Sequence, residues 1–167
     1  MSLYDASVPA FLQILGSLPG VLTKAEAYCA AKHVAPQTLL NARLFPDMFP
    51  LTHQIQIVCD FAAKSCARLT GSQVPVTPDT ENSFEELKQR LAKTAGYVRE
   101  FKPAQFEGAA LRDITFPIGA EKTMTMKGQA FLHHFALPNF YFHAATAYGI
   151  LRHNGVDLGK RDFLGVS

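Results

Sequence analysis

Apolar residues in the first segment recur at spacings of four and three: Tyr4, Val8, Phe11, Leu15, Leu18, Leu22, Ala25 and Cys29. That phase is the seam of a helix packed in a bundle. Pro19 and Gly20 interrupt the run without shifting it, which predicts a kinked helix that resumes and ends near His33, ahead of Ala35-Pro36. A short helical turn is expected over Gln37 to Arg43. Pro50 suits the first turn of a second long helix, with Leu51, Ile55, Val58, Ala62, Cys66 and Leu69 as its core face and Gly71 as its stop. Ser72 to Asn82, with Pro75 and Pro78, reads as a loop. Ser83 and Glu86 have capping-box spacing and open a third helix, carrying Phe84, Leu87, Leu91, Val98 and Phe101 at helical spacing up to Pro103.

Between Leu111 and Lys127 the period changes to alternation. Ile114, Phe116 and Ile118 form one run and Met124 and Met126 the next, so a hairpin turning at Gly119 to Glu121 is expected, lying on the helices as a flap. Gln129 to Phe135 reads as a short helical piece broken by Pro138. Pro138 then opens a last helix to Asn154, closed by Gly155. Apolar residues surround nearly the whole circumference of that helix, which predicts burial on most sides, at the bundle centre or against another subunit. Asn139, His143, Thr146 and His153 form a polar stripe roughly eighty degrees wide on this apolar cylinder. These elements describe one mainly α-helical domain over residues 1–167, with a small hairpin between its third and fourth long helices.

Composition narrows the function classes. The net charge is only +2 and the basic residues are scattered, which argues against nucleic acid. No basic segment precedes an apolar run at the start, and no eighteen-residue apolar stretch appears, so a cytoplasmic protein without a membrane span is expected. Cys29, Cys59 and Cys66 form no C-x-x-C pair and read as reduced, mostly buried thiols. Cys59 and Cys66 lie two helical turns apart, roughly 10 Å, too far for a bond.

Candidate chemistry centres on the polar stripe. Side chains four apart on a helix reach one ion, so Asn139 and His143 have metal-ligand spacing, and His53 near the start of the second helix is the candidate third ligand for zinc or nickel. Against this, His53 falls with Asp60 and Lys64 away from the apolar arc of its helix. The alternative for His143 is a core histidine bonded to a neighbouring carbonyl or to Thr146. His33, His133 and His134 have no helical partner at useful spacing.

The segments LLNARLFPDMFPLTHQIQIVCDFA and LPNFYFHAATAYGILRHNGVDLGK resemble an uncharacterised bacterial branch of the DinB/YfiT-like superfamily. The resemblance spans nearly the whole chain. It implies an up-down-down-up four-helix bundle, often dimeric. More distant members hold a divalent metal through a histidine on the second helix and an H-x-x-x-H pair on the last, and some are thiol-dependent transferases or isomerases. Their positions match His53, Asn139 and His143, so the first histidine of the pair is an asparagine here. Asparagine is a weak neutral ligand for zinc or nickel.

Three functional readings follow. The first in rank is a bundle without a tightly bound metal that acts through a small ligand or as a homodimer. The second is a metal-dependent hydrolase or thiol transferase using His53 and His143, and the third an acid/base pair of Asp60 and His143. Whether the protein is an enzyme is left open by these residues.

Overall fold

Two of the long helices begin on a serine able to satisfy free N–H groups. Ser2 Oγ accepts from the Asp5 N–H while the Asp5 carboxylate takes the Ser2 N–H; Ser83 Oγ accepts from the Glu86 N–H. The Glu86 carboxylate reaches back one residue further than a capping box requires, to the Asn82 N–H at 2.7 Å. The computed structural model describes residues 2–119 and 121–166. Its elements are α1 (Leu3–Lys32), α2 (Pro36–Leu40), α3 (Leu51–Thr70), α4 (Phe84–Arg99), β1 (Asp113–Ile118), β2 (Lys122–Lys127), α5 (Gly128–Phe131), α6 (Leu137–His153) and α7 (Lys160–Leu164). Pro50 stands at the cap of α3 rather than inside its first turn, and Gly71 closes that helix in the left-handed conformation at φ 73°.

Contacts between side chains fix the directions of the four long helices. Glu26 near the end of α1 pairs with Lys88 near the start of α4, so these run antiparallel. Asp60 pairs with Arg90 and Gln56 reaches Glu81 just before α4, so α3 and α4 run parallel. Phe11 packs on Phe140 while Tyr28 lies against Gly155, so α1 and α6 run parallel. The result is up-down-down-up. Parallel α3 and α4 require the chain to travel back along α3 between them, and residues 71–83 are that crossover.

The core between these helices is mainly apolar, with Phe11, Leu18, Leu22, Leu51, Ile55, Leu69, Leu91, Phe131 and Phe140 all fully buried and a few polar side chains among them. Burial of such side chains contributes about 1.5–3 kcal/mol each. α1 is long and apolar enough to span a membrane by length and composition, with a mean hydropathy of 1.4, but half of its most apolar stretch is buried inside the molecule. Its apolar face is bundle core. Pro9 and Pro19 both lie within α1, which continues through them to Lys32.

The hairpin pairs Asp113 with Lys127 and Ile118 with Lys122. Ala120, inside the expected turn, lies outside the described residues. β1 is the more firmly held strand: Ile114 and Phe116 are buried and the Phe116 ring lies tilted on Phe135 at 4.5 Å, whereas on β2 Met126 is half-buried against the core and Met124 is exposed. The chain then enters α5 at Gly128, where a Cβ would stand 2.0 Å from the Ala109 carbonyl oxygen, so glycine is required by the close approach of two backbones.

Two expectations for the last helix are corrected here. Pro138 does not break the chain into separate pieces: α5 passes into α6 through one wide π-type turn, Leu132–Ala136. Proline at the start of α6 needs no N–H bond of its own, and the widened turn absorbs its ring. Nor is α6 buried on most sides within one chain: Tyr141 is 39% exposed and Phe142 55%.

Candidate functional site

The crossover brings acidic residues onto the outer face of α3, where burial of their counter-ion organises the site. Arg90 projects from α4 with its side chain only 3% exposed. One Nη1 donates to the Pro78 carbonyl at 3.0 Å and to the Glu81 carboxylate, and pairs with Asp79 at 2.9 Å. Nη2 donates to Asp60 Oδ1 at 3.0 Å, and Lys64 takes the other oxygen of Asp60 at 2.6 Å. A planar guanidinium presents five donors in a fixed fork, which suits it to clamp several acceptors at once. The surrounding carboxylates hold the Arg90 guanidinium above its ordinary range despite the opposing effect of burial. The bonds from Gln56 and Arg90 hold the Glu81 carboxyl below its own, also against burial.

Two buried glutamines extend this network to the histidines. Gln56 donates from Nε2 to Glu81 Oε2 at 2.9 Å and presents Oε1 to His53 Nδ1, also at 2.9 Å. Gln54 donates from Nε2 to the Phe49 carbonyl at 3.0 Å and presents Oε1 to His143 Nδ1 at 2.7 Å. Gln54 is 1% exposed and Gln56 4%, so each needs these partners. The His143 ring also stacks near Phe61, 6.0 Å between centroids, and the Phe49 ring meets His53 edge-on at 4.4 Å. Burial, and secondarily the neighbouring His53, push the His143 imidazole below the usual histidine range.

The polar stripe of α6 is thus divided. His143 reaches across to α3. Asn139 donates from Nδ2 to the Phe135 carbonyl at 2.7 Å and Thr146 from its hydroxyl to the Phe142 carbonyl at 2.7 Å, each serving its own helix, while His153 is exposed. Asp60 is engaged by Arg90 and Lys64 on a face of α3 about one hundred degrees from Phe61, which meets His143. Among the described residues no hydrogen bond joins Asp60 to His143, the third-ranked pairing. Burial pushes the thiols of Cys59 and Cys66 up to about 12, so both are protonated packing groups at neutral pH.

The donor set decides how well His53, Asn139 and His143 suit a metal. Among the described residues no group of three or more His, Cys, Asp or Glu side chains is placed to hold an ion. Two imidazoles and one amide oxygen, a weak neutral ligand, do not match the three or four strong ligands of a zinc site. These residues do not fit a tightly held ion.

An open cleft of about 520 Å³ lies beside His53, between α2, the start of α3 and the end of the crossover. Gln37, Asn41, His53, Gln56, Asp79 and Glu81 supply much of its polar lining. His143 and Asn139 are not among the lining residues. Gln54, Gln56, Glu81 and Arg90 escaped the reading of the sequence, although two of them carried a signal. Gln54 falls between Leu51 and Val58 on the apolar arc of α3, and Arg90 beside Leu87 and Leu91 on that of α4, where polar side chains stand out.

No functionally curated protein matches this chain. The crystal structure of a DinB family member from Shewanella denitrificans, at 1.83 Å resolution, superposes with a TM-score of 0.90 at 44% sequence identity. The match covers 99% of this chain and 93% of that one. The family model described as Domain of unknown function (DUF1993) matches residues 3–164. The chain therefore belongs to the DUF1993 family and has the DinB-like fold, in a family whose function is unknown.

Proposed function

We propose that this protein is a cytoplasmic, ligand-binding member of the DinB-like fold that works without a tightly bound metal, as a homodimer. The observation that carries the reading is the cleft beside His53, whose polar side chains are held in place by buried bonds to Arg90 and Glu81 rather than left to solvent. A pre-formed concave site with a few convergent polar groups is the usual form of a small-molecule site. Dimer formation is supported by the uncovered aromatic side chains Phe45, Phe49, Tyr141 and Phe142, which are 64%, 51%, 39% and 55% exposed. A thermal-shift screen of small polar compounds against protein purified without an affinity tag tests the ligand, and light scattering tests the dimer. A rise in melting temperature that His53→Ala abolishes is expected, at the mass of a dimer. A monomer indifferent to every compound would overturn the reading.

One observation favours a second reading, a metal-dependent hydrolase or thiol transferase using His53 and His143. Both histidines are engaged at Nδ1, and among the described residues neither Nε2 has a hydrogen-bond partner, as in metal sites where a further residue orients the imidazole. Saturable zinc or nickel binding tighter than about micromolar, lost in His53→Ala and in His143→Ala, is the result that would favour it.

A further inference from the structure

The two glutamine bridges determine which nitrogen of each histidine carries its proton. The Glu81 carboxylate, which accepts from Arg90, and the Phe49 carbonyl are both acceptors. The side of Gln56 that faces Glu81, and the side of Gln54 that faces Phe49, must therefore be the NH2 groups. Each amide is fixed by that bond, and its oxygen is turned to the histidine. An amide oxygen only accepts, so His53 and His143 must each donate from Nδ1–H, and a neutral imidazole that donates at Nδ1 carries its lone pair at Nε2. Both glutamines are buried, so neither amide can turn to water instead.

The cleft lining agrees with an acceptor role for His53. Asp79 is 42% exposed, with Oδ1 on Arg90 and Oδ2 4.0 Å from His53 Nδ1. The second carboxylate of the cleft is that of Glu81. Among the described residues that line the cleft there is no lysine or arginine. Charge and hydrogen-bonding capacity thus favour a ligand that brings donors and disfavour an anion.

We propose that Gln54 and Gln56 are positioning residues that hold His143 and His53 as Nδ1–H tautomers, and that the cleft beside His53 takes a small molecule bearing a hydrogen-bond donor, such as a primary ammonium group, on the Nε2 lone pair. The ligand half rests on the ligand-binding reading given above; the tautomer half stands without it.

The test is nitrogen NMR of the full chain labelled at histidine, at about pH 8, above the ordinary histidine pKa. His53 and His143 are expected as Nδ1–H tautomers, with the surface histidines as internal reference. Gln56→Leu is expected to release His53 alone, Gln54→Leu to release His143 alone, and Gln54→Glu, which keeps an acceptor at that position, to restore the His143 signature. Methylammonium is the donor probe and acetate the anion probe. Methylammonium is expected to shift the His53 Nε2 resonance saturably, with affinity about tenfold weaker in Gln56→Leu, the loss of one bond to a charged donor. Either histidine found as the Nε2–H tautomer in the wild type overturns the proposal whatever the variants do. So does a tautomer unchanged in a folded leucine variant. Acetate binding tighter than methylammonium overturns the ligand class and leaves ligand binding intact, whereas a protein silent in the thermal-shift screen overturns ligand binding itself.

Discussion

At the scale of single residues, the consequential side chains are the two buried glutamines. Replacing Gln54 by leucine leaves the Phe49 carbonyl and His143 Nδ1 without their partners. A loss of about 2 kcal/mol in urea unfolding is expected, since a part-buried group without its bond costs about 1–3 kcal/mol. His143 adds a pH dependence. Its folded-state pKa lies below the unfolded value, so below neutrality the unfolded chain binds more protons than the folded one. Its contribution is therefore complete above the unfolded pKa and declines as pH falls from there through the lowered folded value. Urea midpoints measured from about pH 8 to pH 5 are expected to fall more steeply in the wild type than in His143→Gln. Among these residues His53 and His143 were legible as candidates because histidine on a helix stands out from an apolar pattern. Asn139 was legible too, but its bond to the Phe135 carbonyl was not, since it depends on the junction around Pro138.

At the scale of elements, one arginine ties the crossover to two helices. Arg90 holds Asp60 of α3 and Pro78, Asp79 and Glu81 of the crossover. Arg90→Ala removes the cation that three carboxylates share in this cluster, and because those carboxylates are part exposed a loss of about 2 kcal/mol is expected, below that of a fully buried pair. The expected signature is local: amide exchange should accelerate across residues 72–82 and the start of α4 before the rest of the bundle is affected. The entry to α5 offers a second test. Gly128→Ala places a methyl group against the Ala109 carbonyl, and melting should show a loss of about 3 kcal/mol from overpacking at a backbone contact. The long helices and the hairpin followed from period and from turn residues, which are local properties. The continuity of α5 with α6 did not, because one wide turn carries the helix past Pro138, and proline by local rules alone marks a break.

At the scale of the whole molecule, the four-helix arrangement was legible through apolar phase and through resemblance, and the directions of the helices agree with the ion pairs and aromatic contacts that join them. The apolar circumference of α6 is only partly covered within one chain: Tyr141 and Phe142 face outward, on a helix expected at the bundle centre or against another subunit. Periodicity reports which side chains would prefer cover, and tertiary packing decides which receive it. Phe142→Ser and Phe45→Ser, singly and together, are expected to shift a dimer toward monomer in light scattering without lowering the melting temperature of the fold.

The metal question separates the two functional readings most directly. Zinc should be titrated by calorimetry into protein purified without a tag, with His53→Ala and His143→Ala alongside. Two imidazoles and a neutral asparagine oxygen should give binding no tighter than about micromolar, near 8 kcal/mol, and little change in either variant. One equivalent of zinc held far more tightly than micromolar, and lost in both variants, would contradict a metal-free function.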